Sequence, residues 1–317
     1  MRCADMHSHF GVFRDTGSLR EAMTRNGILL MARKVVADQP VIGRGGPGKG
    51  LQALREAAAG ELAQYFDARL AKLRAQHRAE RLPEVVTADG LDHAVKSGEP
   101  AVALAAEGAD FLEGDLGRLE AARAQGLAHL QLVHYRVSEV GDISTERPVH
   151  EGLTAFGKEV VAACNRLRIL VDVAHGTTAV IEQALALAAR PVVYSHGHVI
   201  AAEPHWTQNP IRARAIHRPL AQKIAKQGGV IGIWPLGLMY RTLEAYADAL
   251  IDAAGHIGPA HVGVGTDMNG ITSSVMPGYE TYPALEEILA KRRVATADIG
   301  NILGGNYLRV LRQSLAG

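Results

Sequence analysis

The sequence predicts an α/β fold, a (β/α)8 barrel of the TIM type in one domain. Three observations carry this. Eight short apolar runs of strand length recur, at residues 2–9, 27–36, 101–107, 128–134, 168–175, 191–197, 229–236 and 261–267. Most are continuously apolar, as parallel strands covered on both faces require. Helical patterns fill the gaps, which is the alternation of a parallel sheet with crossover helices. A doubly wound open sheet is the alternative. The closed barrel makes one extra demand, that functional groups gather at the C-terminal ends of the strands.

The first run, "RCADMHSH", is followed by "SLREAMTRNG", where Ser18 can cap a helix and Gly27 end it. The second, "GILLMARKVV", leads to the glycine-rich loop "GRGGPGKG" at 43–50. That loop lacks the G-x-x-x-x-G-K-[ST] spacing of a phosphate loop. Residues 50–81 read as one or two Ala/Arg/Leu-rich helices, and "TADGLDHAVKSG" (87–98) as a helix with a threonine start and a glycine stop. Residues 37–100 are therefore a helical and loop insertion in a single domain spanning 1–317. The third run, "AVALAAE", precedes a helical pattern at 115–126, with Leu116, Leu119 and Ala122 on one face. The fourth to eighth runs alternate with helical patterns at 151–166, 177–189, 217–227 and 241–254, and the last is followed by 281–292 and 296–314.

Bulk composition narrows the function. Of 317 residues, 34 are Lys or Arg and 33 Asp or Glu, a net charge of +1. Bulk charge therefore offers no hold for nucleic acid or a membrane surface, and a small molecule is the expected partner. Aromatic residues are only 5%, which argues against a stacking platform for single strands. No apolar run has the length of a membrane span. Two cysteines, Cys3 and Cys164, build no disulfide framework, and Cys164 in "VVAACNRL" reads as a small buried hydrophobe. No secretory signal precedes the first strand pattern, so the cytoplasm is the default compartment, with the periplasm the alternative for a chain that has lost a leader.

The demand of the barrel is met. The first run ends on "HSH", placing His7 and His9 at i and i+2, on the same side of a strand. The third run ends on Glu107, the fourth on His134, the fifth on His175, the sixth on His196 and the eighth on Asp267. Each follows an apolar run, where an ionisable group is costly unless paired or ligating. Any one alone reads as a satisfied core polar group; together at one end of a barrel they read as a metal site. Nitrogen and carboxylate donors without thiolates suit Zn²⁺, or less selectively Mn²⁺, Co²⁺ or Fe²⁺. The set is too large for one tetrahedral ion and suits two, with Glu107 between them.

These motifs, with "AAEGAD" (105–110), "LQLVH" (130–134), "ILVDVAH" (169–175), "PVVYSH" (191–196), "GGVIGI" (228–233), "HVGVGTDMNG" (261–270) and "ILGGNYLRV" (302–310), resemble the renal or membrane dipeptidases, peptidase family M19 of the amidohydrolase superfamily. The resemblance is firmest from about residue 100 onward and poor over 37–100. It implies a zinc-dependent dipeptidase acting on small dipeptides, L,D pairs among them, through a metal-bridging hydroxide. It implies that His7 and His9 ligate a first zinc, that Glu107 bridges, and that His175 and His196 ligate the second. It further implies that His134 contacts the substrate and polarises its carbonyl. Asp267 would carry the proton of the attacking water to the leaving amine. Arg214 falls where the family binds the substrate carboxylate, and Arg212 is the alternative. Barrels of this kind often pair, so a homodimer is an expectation.

The chain departs from the family in three places. It has H-x-H where H-x-D is usual, which removes a negative charge from the first ion's shell and predicts weaker or altered metal binding there. Its sixth strand continues "SHGHVIAAEPHWTQNP", with His198 and His205 added; His198 is expected in a loop or supporting the site. Arg218 replaces a usual acid, which predicts a more basic pocket. Trp206 and Trp234 are candidates for the pocket wall or for packing, and Tyr135 stays undecided. His77, His93, His129, His150, His217, His256 and His261 are assigned to structure. The alternative functions are another amidohydrolase reaction, such as N-acyl amino acid deacylation or lactone hydrolysis, and a non-catalytic metal-binding barrel.

Overall fold

The computed structural model describes residues 2–13, 17–46, 50–201 and 210–317. In chain order its strands are β1 (Cys3–Ser8), β2 (Ile28–Val36), β3 (Ile42–Arg44), β4 (Leu51–Ala53), β5 (Ala101–Glu107), β6 (Leu127–Gln131), β7 (Leu170–Asp172), β8 (Val193–Ile200), β9 (Ala215–His217), β10 (Val230–Ile233) and β11 (Val262–Val264). Eight of them form a parallel sheet in the order β1-β2-β5-β6-β7-β8-β10-β11, with β9 added beside β8. The ring is drawn together at its ends by the Ser8–Met268 bridge. There Asp267 N–H donates to the His7 carbonyl at 2.8 Å, and His9 N–H to the Met268 carbonyl at 2.9 Å. The fold is the predicted (β/α)8 barrel.

Burial explains why the strands read as unbroken apolar runs. Every residue of β2 and β5 is buried, because one face meets the barrel interior and the other the surrounding helices. Ala4, Met6, Ala103, Ala105, Leu170 and Val230 pack inside with Tyr307, Val310 and Leu311. The last three lie on the helix Asn306–Leu315, which contacts β1, β7, β10 and β11. Arg309 on it donates to the carbonyls of Gly228 and Ala260 at 2.8 Å, just ahead of β10 and β11. This helix therefore closes the N-terminal end of the barrel, opposite the strand ends that carry the conspicuous polar groups. Outer helices start where the sequence places capping residues: Ser18, Thr87, Thr154 and Thr177 each accept a backbone N–H of the first turn, worth about 1 kcal/mol apiece.

The barrel interior also holds a buried ion pair. Lys34 Nζ donates to Asp172 Oδ2 at 2.7 Å, and His129 Nε2 lies 3.2 Å from the same oxygen. His129 Nδ1 reaches the Tyr307 hydroxyl at 3.1 Å. All three charged or ionisable groups are fully buried, so each relies on the others.

The boundaries differ from the sequence expectation in three ways. Residues 50–60 are not helical: β4 pairs antiparallel with β3, and the helix begins at Glu61 after Gly60, whose φ is +79°. Several strands also stop early. β6 ends at Gln131 and β7 at Asp172, because the ladder ceases where the chain turns to aim His134 and His175. The sixth barrel strand does the reverse. β8 continues to Ile200 and pairs with β9 through His198–Ala215, so His198 sits on a strand and not in a loop.

Candidate active site

The strand ends gather the predicted residues into one cluster. His7 lies within β1 and His9 just beyond it, Glu107 ends β5, and His196 lies within β8. His134, His175 and Asp267 each sit three residues past β6, β7 and β11. His175 and Asp267 adopt left-handed backbone, with φ of +68° and +50°. Such conformations are uncommon outside glycine and concentrate where a side chain must be aimed.

Two motif glycines let the strands crowd beneath this cluster. A Cβ on Gly232 would lie 2.0 Å from the Ser195 carbonyl oxygen, and one on Gly265 only 1.8 Å away. Only glycine permits that approach of β8, β10 and the chain leaving β11.

Glu107 is the centre of the arrangement. Its Oε2 lies 3.1 Å from His9 Nε2. Its Oε1 lies 3.3 Å from His7 Nε2, 3.4 Å from His134 Nε2 and 3.6 Å from both His175 and His196 Nε2. The imidazoles form two pairs: His7 and His9 present their Nε2 atoms 3.2 Å apart, and His175 and His196 do the same at 3.2 Å. Two nitrogens on one tetrahedral ion at about 2.0–2.1 Å are about 3.3 Å apart. Each pair thus has the spacing of two ligands on a single ion. Asp267 Oδ1 stands beside the first pair, 3.3 Å from His9 Nε2 and 3.9 Å from His7 Nε2. His7, His9 and Asp267 converge within 4.8 Å, as do Glu107, His134 and His175, and His7, Glu107 and His196. The donor set fits a metal.

The outer nitrogens fix which atom each ring offers. His9 Nδ1–H donates to the Lys34 carbonyl at 3.3 Å, and His175 Nδ1–H to the His134 carbonyl at 3.2 Å. The Ser195 hydroxyl lies between two rings, 2.9 Å from His7 Nδ1 and 3.1 Å from His196 Nδ1. Asp38 Oδ1 holds His134 Nδ1 at 2.7 Å, and its other oxygen accepts the Tyr135 N–H at 3.0 Å. All five rings therefore turn Nε2 inward, the orientation that outer partners impose on metal-binding histidines.

Electrostatics agrees with the geometry. Burial alone would raise the Glu107 carboxyl, but the imidazoles of His134 and His7 outweigh it and hold Glu107 well below the usual range. Burial, reinforced by cationic neighbours, keeps His175 and His196 well below the ordinary imidazole value, so both are neutral donors. His134 goes the other way: burial opposes its charge, but Asp38 and Glu107 raise its pKa.

Above the cluster opens a cavity of about 480 Å³ lined by His9, Glu107, His134, Tyr135, Arg214, Trp234 and Asp267 among others. Arg214 is 3% exposed. Its Nη1 donates to the Tyr135 hydroxyl at 2.9 Å, its Nη2 faces His196 Nε2, and its guanidinium carbon lies 4.3 Å from the Trp234 ring centre. Arg212 is exposed and does not line the cavity. His198 is buried against Trp234, ring centres 5.5 Å apart, outside the ligand cluster. The expected contribution of Arg218 fails: it starts the helix Arg218–Lys226 and its Nη2 reaches Asp252 at 3.4 Å on the surface, so it adds no charge to the pocket. His205 and Trp206 lie outside the described residues. Asp38 and Ser195 were missed from sequence, although Ser195 stands inside the quoted motif "PVVYSH".

Residues 54–316 match the family described as membrane dipeptidase, peptidase family M19. The chain belongs to that family. Similar proteins include dipeptidase aclJ of Aspergillus oryzae, 30% identical over 218 residues, covering 66% of this chain and 50% of that protein. Dipeptidase tcpJ of Claviceps purpurea is 26% identical over 244 residues, covering 74% of this chain and 56% of its own. Human dipeptidase 3 is 28% identical over 242 residues, covering 72% and 47%. The chain thus spans about half the length of these relatives. Among solved structures, a metallopeptidase of Rhodobacter sphaeroides, liganded with a phosphinate mimic of L-Ala-D-Ala, superposes with a TM-score of 0.84 at 19% identity, over 99% of both chains. A dipeptidase AC described as an M19 metallopeptidase gives 0.85 at 19% identity, over 100% and 99%. At these identities the likeness concerns the fold. The converging histidines and carboxylates give this chain the means to hold a metal cofactor. Among the described residues no helix is long and apolar enough to cross a membrane.

Proposed function

We propose that this M19 protein is a zinc-dependent dipeptidase, cleaving small dipeptides, L,D pairs included, that end in a free carboxylate. The observation that carries the reading is Glu107 standing between two imidazole pairs, with Asp267 beside one of them, beneath a pocket that contains a buried guanidinium. His7 and His9 would hold one ion, His175 and His196 the other, with Glu107 between. Bound there, two divalent ions supply Lewis acidity to the scissile carbonyl and an activated water as nucleophile.

The chain's own groups do the rest. Arg214 grips the substrate carboxylate through parallel hydrogen bonds. Its Nη2 faces His196, which sets the guanidinium at the edge of the ligand cluster, where the substrate carboxylate would lie. His134, held at its outer nitrogen by Asp38, stabilises negative charge developing on the carbonyl oxygen. Asp267 accepts the proton of the attacking water and returns it to the departing amine. With His9 in place of an acid, the ion at His7 and His9 is the more weakly held of the two.

The test is amine release from a panel of L,L- and L,D-dipeptides by zinc-loaded protein, against a chelated control, with metal counted after dialysis. Zinc-dependent cleavage supports the reading. Bound metal without cleavage moves the assignment to another amidohydrolase reaction. Two tightly held ions after dialysis would remove the idea of a weak first site.

A further inference from the structure

The cavity above the ligand cluster is unbalanced in charge. Among the described residues lining it, only Glu107 and Asp267 carry a carboxylate, and the proposed reaction uses both. Two carry a guanidinium, Arg214 in the depth and Arg44 at the rim. Position 9, at the cavity floor, holds an imidazole. The mouth is apolar: Phe13, Leu51, Leu238 and Ile271 line it. Leu238 is 71% exposed, Phe13 43% and Leu51 39%. Large apolar side chains exposed together around a pocket mark a surface that something apolar covers.

A dipeptide brings an α-ammonium on the carbonyl side of its scissile bond, since such amines titrate at about 7.7–8.0. Seating it here places a cation among apolar side chains and guanidiniums, and the described lining residues offer it no carboxylate beyond the two in use, so its desolvation goes unrepaid by them. A neutral chain at the same place carries no such penalty and gains by covering Leu238 and Phe13.

We infer that the carbonyl-side half of the substrate is recognised as a neutral apolar chain, so that N-acyl amino acids are turned over at least as well as dipeptides. The inference rests on the reading of the site as a metal-dependent hydrolase of amides that end in a carboxylate. The reaction is the same hydrolysis. Water's hydroxyl joins the acyl carbon, the C–N bond breaks, and the remaining proton reaches the nitrogen through Asp267. The products are a carboxylic acid and a free amino acid.

The test compares N-(4-methylpentanoyl)-alanine with Leu-Ala, which differ only by the amine, using both alanine enantiomers and reading alanine release by metal-loaded protein at pH 7. The acyl compound is expected to match or exceed the dipeptide in kcat/KM. A value more than threefold lower overturns the inference while leaving the dipeptidase reading intact. Cleavage of the acyl compound alone supports the inference and ends the dipeptidase reading; cleavage of neither ends both. Extending the chain from acetyl to decanoyl is expected to raise kcat/KM at least tenfold, and Leu238→Ser to flatten the series. A series flat in the wild type, or unchanged by the substitution, overturns the role of the apolar mouth.

Discussion

Asp38 holds the outer nitrogen of His134 at 2.7 Å while the inner nitrogen of the same ring faces Glu107 at 3.4 Å. The carboxylate thereby orients the ring and favours its protonated form. Asp38→Asn keeps the shape and removes the charge. It is expected to lower kcat by ten- to a hundredfold with metal content unchanged. Steady-state kinetics beside metal analysis checks this, and an unaltered kcat would show that His134 needs no support from Asp38.

Ser195 touches one ring of each imidazole pair. Ser195→Ala frees both rings together. The expected result is a ten- to hundredfold loss of affinity at both metal positions, measured by competition with a chromogenic chelator. Loss at one position only would mean that the hydroxyl serves a single ring.

Asp267 lies within 3.9 Å of both rings of the first pair, close enough to be a proton carrier or a ligand. Asp267→Asn is expected to lower turnover at least a thousandfold while sparing the metal. Surviving activity would exclude the proton role, and loss of one ion would make the carboxylate a ligand.

Lys34 and Asp172 form a fully buried pair. Lys34→Met leaves Asp172 with N–H donors from Ala174 and Ser195 at 3.0 Å and with His129 Nε2 at 3.2 Å, but without its lysine counter-charge. A loss of about 3–5 kcal/mol is expected in urea unfolding. The double change with Asp172→Leu should recover part of it, and a double variant no more stable than the single one would show that charge is not the cause.

Asp110 is buried beside Asp38, and burial first, then that neighbour, push its carboxyl up to about 7 from 3.8. The native state therefore keeps a proton that the unfolded chain releases. Its cost is absent below about pH 4, grows as pH rises toward 7, and is complete above it. Asp110→Asn should thus gain stability relative to wild type between pH 4 and pH 8, by up to about 4 kcal/mol. Unfolding midpoints at the two pH values decide, and a constant difference would refute the shift.

The barrel was legible because unbroken apolar runs such as 101–107 are rare outside doubly covered strands. Strand ends were less so: His134 and His175 lie three residues past the last paired residue, and nothing in an apolar run marks where pairing stops. The cluster of His7, His9, Glu107, His175, His196 and Asp267 could be named because each residue stands at the end of an apolar run. Asp38 and Ser195 could not, since their roles depend on partners 96 and 188 residues away. Arg218 was misjudged because one residue at a helix start fixes no direction; packing against the next helix turned it toward Asp252.

The ring of strands is joined at its ends by the bridge between Ser8 and Met268, and that join lies between His9 and Asp267. The join is therefore also the workshop. Until the eighth barrel strand docks beside the first, the two histidines of "HSH" can meet Glu107 but not Asp267. Contacts between residues so distant in sequence form late. In a chain of this kind, the event that closes the barrel also completes the site.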